Sequence, residues 1–266
     1  MDAVDTTDQV VTVWGGRLDM TVRIGGDGPP LVYLHAAGGL VWDPFLNQLA
    51  QQFTIYAPLV PGTVPGKPDE ISEVDDLWDL VLVYDELLRA LDVHGAPLVG
   101  QSFGGMLACE LAAHYPAVCS KLVLLGPVGL WLDEHPVTNW VATAPEDFPA
   151  LLFHQPDCEA AVAMFTPPDD PDAAIAAIVG TVWAIGCTSK FVWPVPDKGL
   201  SKRIHRILAP TLVVWGKQDA LVSSVYAAEF GRRIAGSRVE VIDQCGHIPQ
   251  MEQLDQTLAL VREFLG

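Results

Sequence analysis

The feature that most constrains this chain is the run Leu98-Val99-Gly100-Gln101-Ser102-Phe103-Gly104-Gly105-Met106. A short apolar stretch closes at Gly100. A helix-compatible pattern opens at once and runs through Leu111 and Ala112 to Tyr115, where Pro116 stops it. A strand that turns straight into a helix leaves one corner residue, here Ser102, in a strained backbone conformation. The residues two positions away on either side must then be tiny, and Gly100 and Gly104 meet that need. Such a turn lifts the serine hydroxyl to the top of a sheet. A helix N-terminus lies beneath it, with the Phe103 N–H free to point at an anion.

The rest of the chain supplies the sheet. Gln9–Trp14 and Leu18–Ile24 read as two strands joined at Gly15-Gly16. Leu31-Val32-Tyr33-Leu34 is apolar throughout, as in a parallel strand buried on both faces, and ends in His35-Ala36-Ala37-Gly38-Gly39. A helix follows from about Asp43, a strand over Phe53–Ala57, and a loop rich in Pro and Gly from Pro58 to Lys67. From Asp75 to Leu91 the apolar positions Leu77, Leu80, Val81, Tyr84, Leu87, Leu88 and Leu91 trace an amphipathic helix. Leu122–Leu125 makes another strand. After the long segment described next, alternation resumes with strands at Thr211–Trp215 and Val239–Ile242. Helices follow at about Ser224–Arg233 and Leu254–Leu265. No internal repeat appears.

Between Gly126 and about Arg206 the strand–helix alternation stops. This stretch is rich in proline and acids and holds Trp131, Trp140, Phe148, Phe153, Phe165, Trp183, Phe191 and Trp193. Linkers lack aromatics, so the segment reads as an inserted helical cap, with short helices at Pro145–Phe153, Glu159–Phe165 and Ala173–Ile185. The expected division is a core made of residues 1–126 and 207–266, with a cap over 127–206.

Composition excludes several classes. The chain has 266 residues, half of them hydrophobic, enough for one sizeable α/β core. Asp and Glu outnumber Lys and Arg by 33 to 15, a net charge of −18, so nucleic acid and anionic lipid are expected to be repelled. Cys109, Cys119, Cys158, Cys187 and Cys245 are scattered, odd in number and without a CxxC pair, which argues against a disulfide framework or a zinc cluster. The start Met1-Asp2-Ala3-Val4-Asp5 lacks the apolar core of a signal peptide. No unbroken run of about eighteen apolar residues suggests a transmembrane helix. The expectation is a cytoplasmic protein with a small-molecule substrate and no membrane or nucleic-acid partner.

Strands alternating with helices imply a mostly parallel sheet, and in such sheets sites form at the carboxyl ends of the strands. His35–Gly39, Ser102, Asp219 and His247 each follow a different strand and so share that edge. On Leu34-His35-Ala36-Ala37-Gly38-Gly39, Gly100-Gln101-Ser102-Phe103-Gly104-Gly105, Gly216-Lys217-Gln218-Asp219 and Gly246-His247-Ile248-Pro249, the chain resembles the α/β-hydrolase superfamily over nearly its whole length. The order serine, acid, histidine and the position of the cap match that family. Two departures are present. The first turn reads His35-Ala36 where the family usually has His-Gly. The loop Pro61-Gly62-Thr63-Val64-Pro65-Gly66 stands where Gly-His-Gly-x-Ser is common.

A serine hydroxyl is a poor nucleophile at neutral pH, so it needs a base. His247 would take its proton and return it to the leaving group, and Asp219 would hold the other ring nitrogen. Backbone N–H groups would bind the oxyanion, one from Phe103. By resemblance the second comes from the His35–Gly39 turn, with Ala37 favoured over Ala36. Asp243 is the rival acid, although it shares a loop with His247. His35 is expected to pack under its turn, and Cys245 to be a buried bystander. By resemblance Trp131, Leu221 and Ile248 line the substrate pocket, and no cofactor or metal is implied. The expectation is a serine hydrolase acting on an ester-like carbonyl through an acyl-enzyme. The alternatives are a carbon–carbon bond hydrolase, a lyase or a cofactor-free oxygenase on the same scaffold, and a small-molecule receptor that keeps the triad.

Overall fold

The computed structural model describes residues 4–266, so Met1–Ala3 of the acidic start lie outside the described part. Eight strands form one sheet: β1 (Thr6–Val13), β2 (Leu18–Gly25), β3 (Pro30–Leu34), β4 (Thr54–Pro58), β5 (Leu98–Gln101), β6 (Leu122–Leu125), β7 (Thr211–Gly216) and β8 (Arg238–Ile242). Their spatial order is β1-β2-β4-β3-β5-β6-β7-β8. The pairs β1–β2 and β2–β4 are antiparallel, and every later pair is parallel.

The helices are α1 (Pro44–Leu49), α2 (Leu77–Ala90), α3 (Phe103–His114), α4 (Phe148–Leu152), α5 (Glu159–Phe165), α6 (Pro171–Ser189), α7 (Leu200–Arg203), α8 (Val225–Arg233), α9 (Pro249–Glu252) and α10 (Leu254–Leu265). Alternate residues of the central strands feed two separate cores, which is why those strands are apolar without a break. Val32, Leu34, Leu122, Leu124 and Trp215 pack with α2, α3 and α8. Leu31, Tyr33, Val99, Val123 and Val214 pack on the opposite face with α1 and α10.

Caps set the helix ends. Asp76 accepts from the Trp78 and Asp79 N–H groups, so α2 starts two residues later than its apolar period suggests. Asp170 accepts from the Ala173 N–H with Pro171 in the first turn, so α6 starts two residues earlier than expected. The single-turn helices α7 and α9 were not expected, because one turn carries no readable period.

Between β6 and β7 the chain first passes over the carboxyl edge of the sheet, where α4, α5 and α6 make a cover. It then returns to the core: Leu200 and Ile204 are buried with α3, and Arg203 donates through Nε to Glu110 Oε2 at 2.9 Å and through Nη2 to Oε1 at 2.6 Å. Glu110 is buried on α3, so this fork compensates a charge that would otherwise be costly there.

The strand-to-helix corner is as tight as the glycine spacing requires. A methyl group at Gly104 would run into the Leu34 carbonyl, and one at Gly100 into the backbone of Gly104. Helical Gly180 on α6 has open space around it. Gly104→Ala is therefore expected to cost about 3 kcal/mol or more, a drop in Tm on the order of 10 °C for a chain of this size. Gly180→Ala should leave Tm unchanged or raise it slightly. Thermal melting of the two variants checks both outcomes.

Candidate active site

Ser102 sits at the corner between β5 and α3 with φ 53° and ψ −113°, a conformation that only close packing sustains. Its N–H donates to the Leu125 carbonyl at 3.0 Å, and its own carbonyl accepts from Met106 and Val128. With the backbone pinned on both sides, Oγ lies 2.8 Å from Nε2 of His247. Nδ1 of the same ring lies 2.8 Å from Oδ2 of Asp219. All three side chains are buried. The second oxygen of Asp219 accepts from the Leu221 and Val222 N–H groups at 2.9 and 2.8 Å, so the carboxylate is oriented and fully used.

The structure thus brings together Ser102, Asp219 and His247 from the ends of three different strands. Asp243, the rival acid, lies on the surface instead. It bonds to Gln218 Nε2 and pairs with Lys217, and these partners hold its carboxyl below the usual range. Cys245 is fully buried, and burial pushes its thiol up to about 12, so it stays protonated and unreactive.

Phe103 follows Ser102 directly in the chain, and Ala37 lines the same cavity as Ser102. Phe103 is the first residue of α3, where backbone N–H groups have no partner within the helix. No hydrogen bond among the described residues engages the N–H of Phe103 or of Ala37. The Ala37 carbonyl accepts from Thr188 Oγ1 at 3.0 Å, which ties this turn to α6. His35 lies beneath the turn, buried. Its Nδ1 bonds the Ala36 carbonyl at 2.7 Å and its Nε2 accepts from the Val60 N–H at 3.1 Å, so it takes the neutral form.

A cavity of about 760 Å³ opens over Ser102 and His247. Leu221 and Ile248 line it, as do the cover aromatics Trp140, Phe148 and Phe165. Trp131 does not, contrary to the sequence expectation. Its indole N–H donates to Asp133 at 2.9 Å and its ring packs against the core beneath the cover. Trp140, buried in the same core, is the first residue after β6 that lines the cavity, whereas Trp131 is half-buried outside it.

Several site residues carried no sequence signal. Asp43 caps α1 through the Leu46 N–H at 2.8 Å, lines the cavity, and is pushed up to about 7 by burial. Gln101 Nε2 and Gln250 Oε1 are buried on the same lining without a partner among the described residues. Glu252 accepts from the N–H groups of Gly246, His154 and Gln155, which fastens the loop of His247 to the end of α4. The His247 N–H adds a bond to the Leu152 carbonyl at 2.8 Å. For Glu252 a faint signal existed, an acid five residues after His247. The amide pair had none.

Burial pulls the His35 imidazole from 6.5 down to about 4. The unfolded chain therefore binds more protons than the folded one between those values. The stability held by neutral His35 is complete above about pH 6.5 and is lost as pH falls toward 4, about 3 kcal/mol in all. Asp43 has the opposite sign, because its raised carboxyl lowers stability as pH rises from 3.8 through about 7. His35→Gln keeps an acceptor for Val60 but cannot titrate. Urea denaturation across this range should show a smaller loss of stability on acidification in His35→Gln than in wild type, and equal pH slopes would contradict the assignment.

Residues 31–260 match the alpha/beta hydrolase family. The chain is 27% identical to a 2-hydroxy-6-oxo-6-phenylhexa-2,4-dienoate hydrolase of Comamonas testosteroni, covering 90% of this chain and 88% of that protein. It is 25% identical to a monoacylglycerol lipase of Bos taurus, covering 91% and 76% respectively. Among solved structures, naproxen esterase from Bacillus subtilis superposes with a TM-score of 0.77 at 17% identity, over 99% of this chain and 92% of that one. With its mostly parallel sheet, its strand–serine–helix corner and this match along most of its length, the chain belongs to the alpha/beta hydrolase family.

Proposed function

We propose that this hydrolase cleaves an apolar ester through a Ser102–His247–Asp219 triad and an acyl-enzyme. The observation that carries the reading is the buried relay Ser102 Oγ, His247 Nε2, His247 Nδ1, Asp219 Oδ2, with 2.8 Å at both hydrogen bonds. In it, His247 accepts the Ser102 proton as Oγ attacks the carbonyl carbon. Asp219, held by two N–H groups, keeps the ring in the tautomer that leaves Nε2 free and stabilises the imidazolium. The N–H groups of Phe103 and Ala37 receive the oxyanion. The imidazolium then protonates the departing alcohol. A water attacks the acyl-serine by the same route, with His247 again the base.

Substrate class follows from the lining. The walls are apolar, and among the residues lining the cavity there is no Lys or Arg, while Asp43 and Glu146 are present. A substrate carrying a carboxylate would find no cationic partner there. That favours a neutral ester over the anionic dienoates named for the Comamonas relative. Carbon–carbon bond hydrolysis is the second reading. The unpartnered amide atoms of Gln101 and Gln250 support it, since they give the cavity polar points that a substrate with several oxygens could use.

A fluorophosphonate should add its mass to the wild-type chain and not to Ser102→Ala. Turnover of a nitrophenyl ester should fall by about six orders of magnitude in Ser102→Ala and about four in Asp219→Asn. Asp243→Asn should remain close to wild type. A wild-type rate with Ala at 102 would end the acyl-enzyme reading. Turnover of a 2-hydroxy-6-oxo-dienoate faster than of any ester would select the second reading. In an acyl-length series, Leu221→Ala and Ile248→Ala should shift the preferred chain length, by about tenfold per methylene at the low end. Trp131→Ala should leave that preference unmoved.

A further inference from the structure

Helix α6 is the most unusual surface of this chain. By length and composition it is apolar enough to cross a bilayer, yet most of it is uncovered. Every residue from Pro171 to Trp183 is exposed except Ala174, which is half-buried. No charged residue lies between Asp172 and Lys190. At about 100° per residue, Ile175, Ile178, Val179, Val182 and Trp183 form one stripe. Their exposures run from 48% to 61%. Val162 and Phe165 of α5 are exposed as well. In water such a surface is costly and marks an interaction site.

The stripe is continuous with the cavity. Ala177, Thr181 and Ile185 of α6 face into the cavity, while Ile178 and Val182 belong to both the cavity wall and the outer stripe. A protein partner seated on the stripe would cover Ile178 and Val182, which also line the cavity at Ser102. A lipid phase would feed it. The charge of −18, with Asp169, Asp170 and Asp172 exposed at the start of α6, opposes an anionic surface but not a neutral one. The expectation of no membrane partner rested on charge and on unbroken apolar length, and neither registers an uncovered helix.

We propose that the outer stripe of α6 docks on a neutral lipid surface and passes acyl esters from it into the cavity. The docking stands on the exposed stripe alone, and the delivery rests on the ester-hydrolase reading above. The test is flotation of the full chain with phosphatidylcholine vesicles and with matched vesicles containing phosphatidylserine. The wild type should float with the neutral vesicles, insensitive to salt, and bind the anionic ones less well at low salt. Ile175→Ser/Val179→Ser/Trp183→Ser alters only residues outside the cavity lining. It should lower the vesicle-bound fraction by about tenfold or more while hydrolysing a soluble short-chain ester at the wild-type rate, with Tm confirming the fold.

Lipids brominated along the acyl chain should quench wild-type tryptophan fluorescence, a readout that needs no variant. Ser102→Ala should float like wild type, so loss of fluorophosphonate labelling and loss of docking are told apart. A wild type that neither floats with neutral vesicles nor is quenched overturns the proposal, as does a triple variant that binds undiminished. A wild-type dimer that the triple substitution dissociates, without vesicle binding, would assign the stripe to a second copy of the chain.

Discussion

One steric corner organises this molecule. Ser102 can hold a left-handed backbone only because β5 and α3 meet with no side chain between them. Gly100 faces the backbone of Gly104, Gly104 faces the Leu34 carbonyl, and Gly105 packs against Pro127. The strain is offset by hydrogen bonds from neighbouring strand ends, with the Leu125 carbonyl on one side and the Val128 N–H on the other. The same geometry that strains the serine sets its hydroxyl at the cavity and leaves the first N–H of α3 unpaired. The position of the hydroxyl and the unpaired N–H beside it thus come from a single turn.

The histidine is held differently. His247 lies on a loop, and loops are positioned by what they are tied to. Its ring is set by Asp219, its N–H by the Leu152 carbonyl, and its neighbour Gly246 by Glu252. Glu252 also binds the N–H groups of His154 and Gln155 at the end of α4. The cover and the loop of His247 therefore share one carboxylate. Movement of α4 would be felt at the ring, because the bonds that hold the cover also hold His247. Thr188 makes a parallel connection from α6 to the Ala37 turn. The cover is thus tied both to the His247 loop and to the Ala37 turn.

Solvation divides the cavity. Its walls are apolar, yet Asp43, Gln101 and Gln250 bring polar atoms to the face of the sheet that carries α1 and α10. Burial leaves Asp43 near its midpoint at neutral pH, whereas His35 on the other side of the turn stays neutral well below it. The apolar half continues outward onto α6 without a charged residue in the way.

The sequence by itself determined the sheet, the corner and which serine, acid and histidine would meet at its edge. Those rest on local rules: unbroken apolar strands, tiny residues around a strained serine, and chemically active residues placed directly after strands. The free N–H of Phe103 was readable for the same reason, because a helix start has N–H groups without partners, whereas Ala37 was named only through the family resemblance of its turn. Only the tertiary structure decided which aromatics line the cavity. Trp131 and Trp140 look alike in sequence, yet the fold ties Trp131 to Asp133 and sets Trp140 against the cavity. Only the structure paired Glu252 with the cover, brought Gln101 and Gln250 onto one cavity, and left α6 bare. An apolar helix reads the same whether buried or uncovered, since burial belongs to whatever packs against it and not to the residues that ask for it.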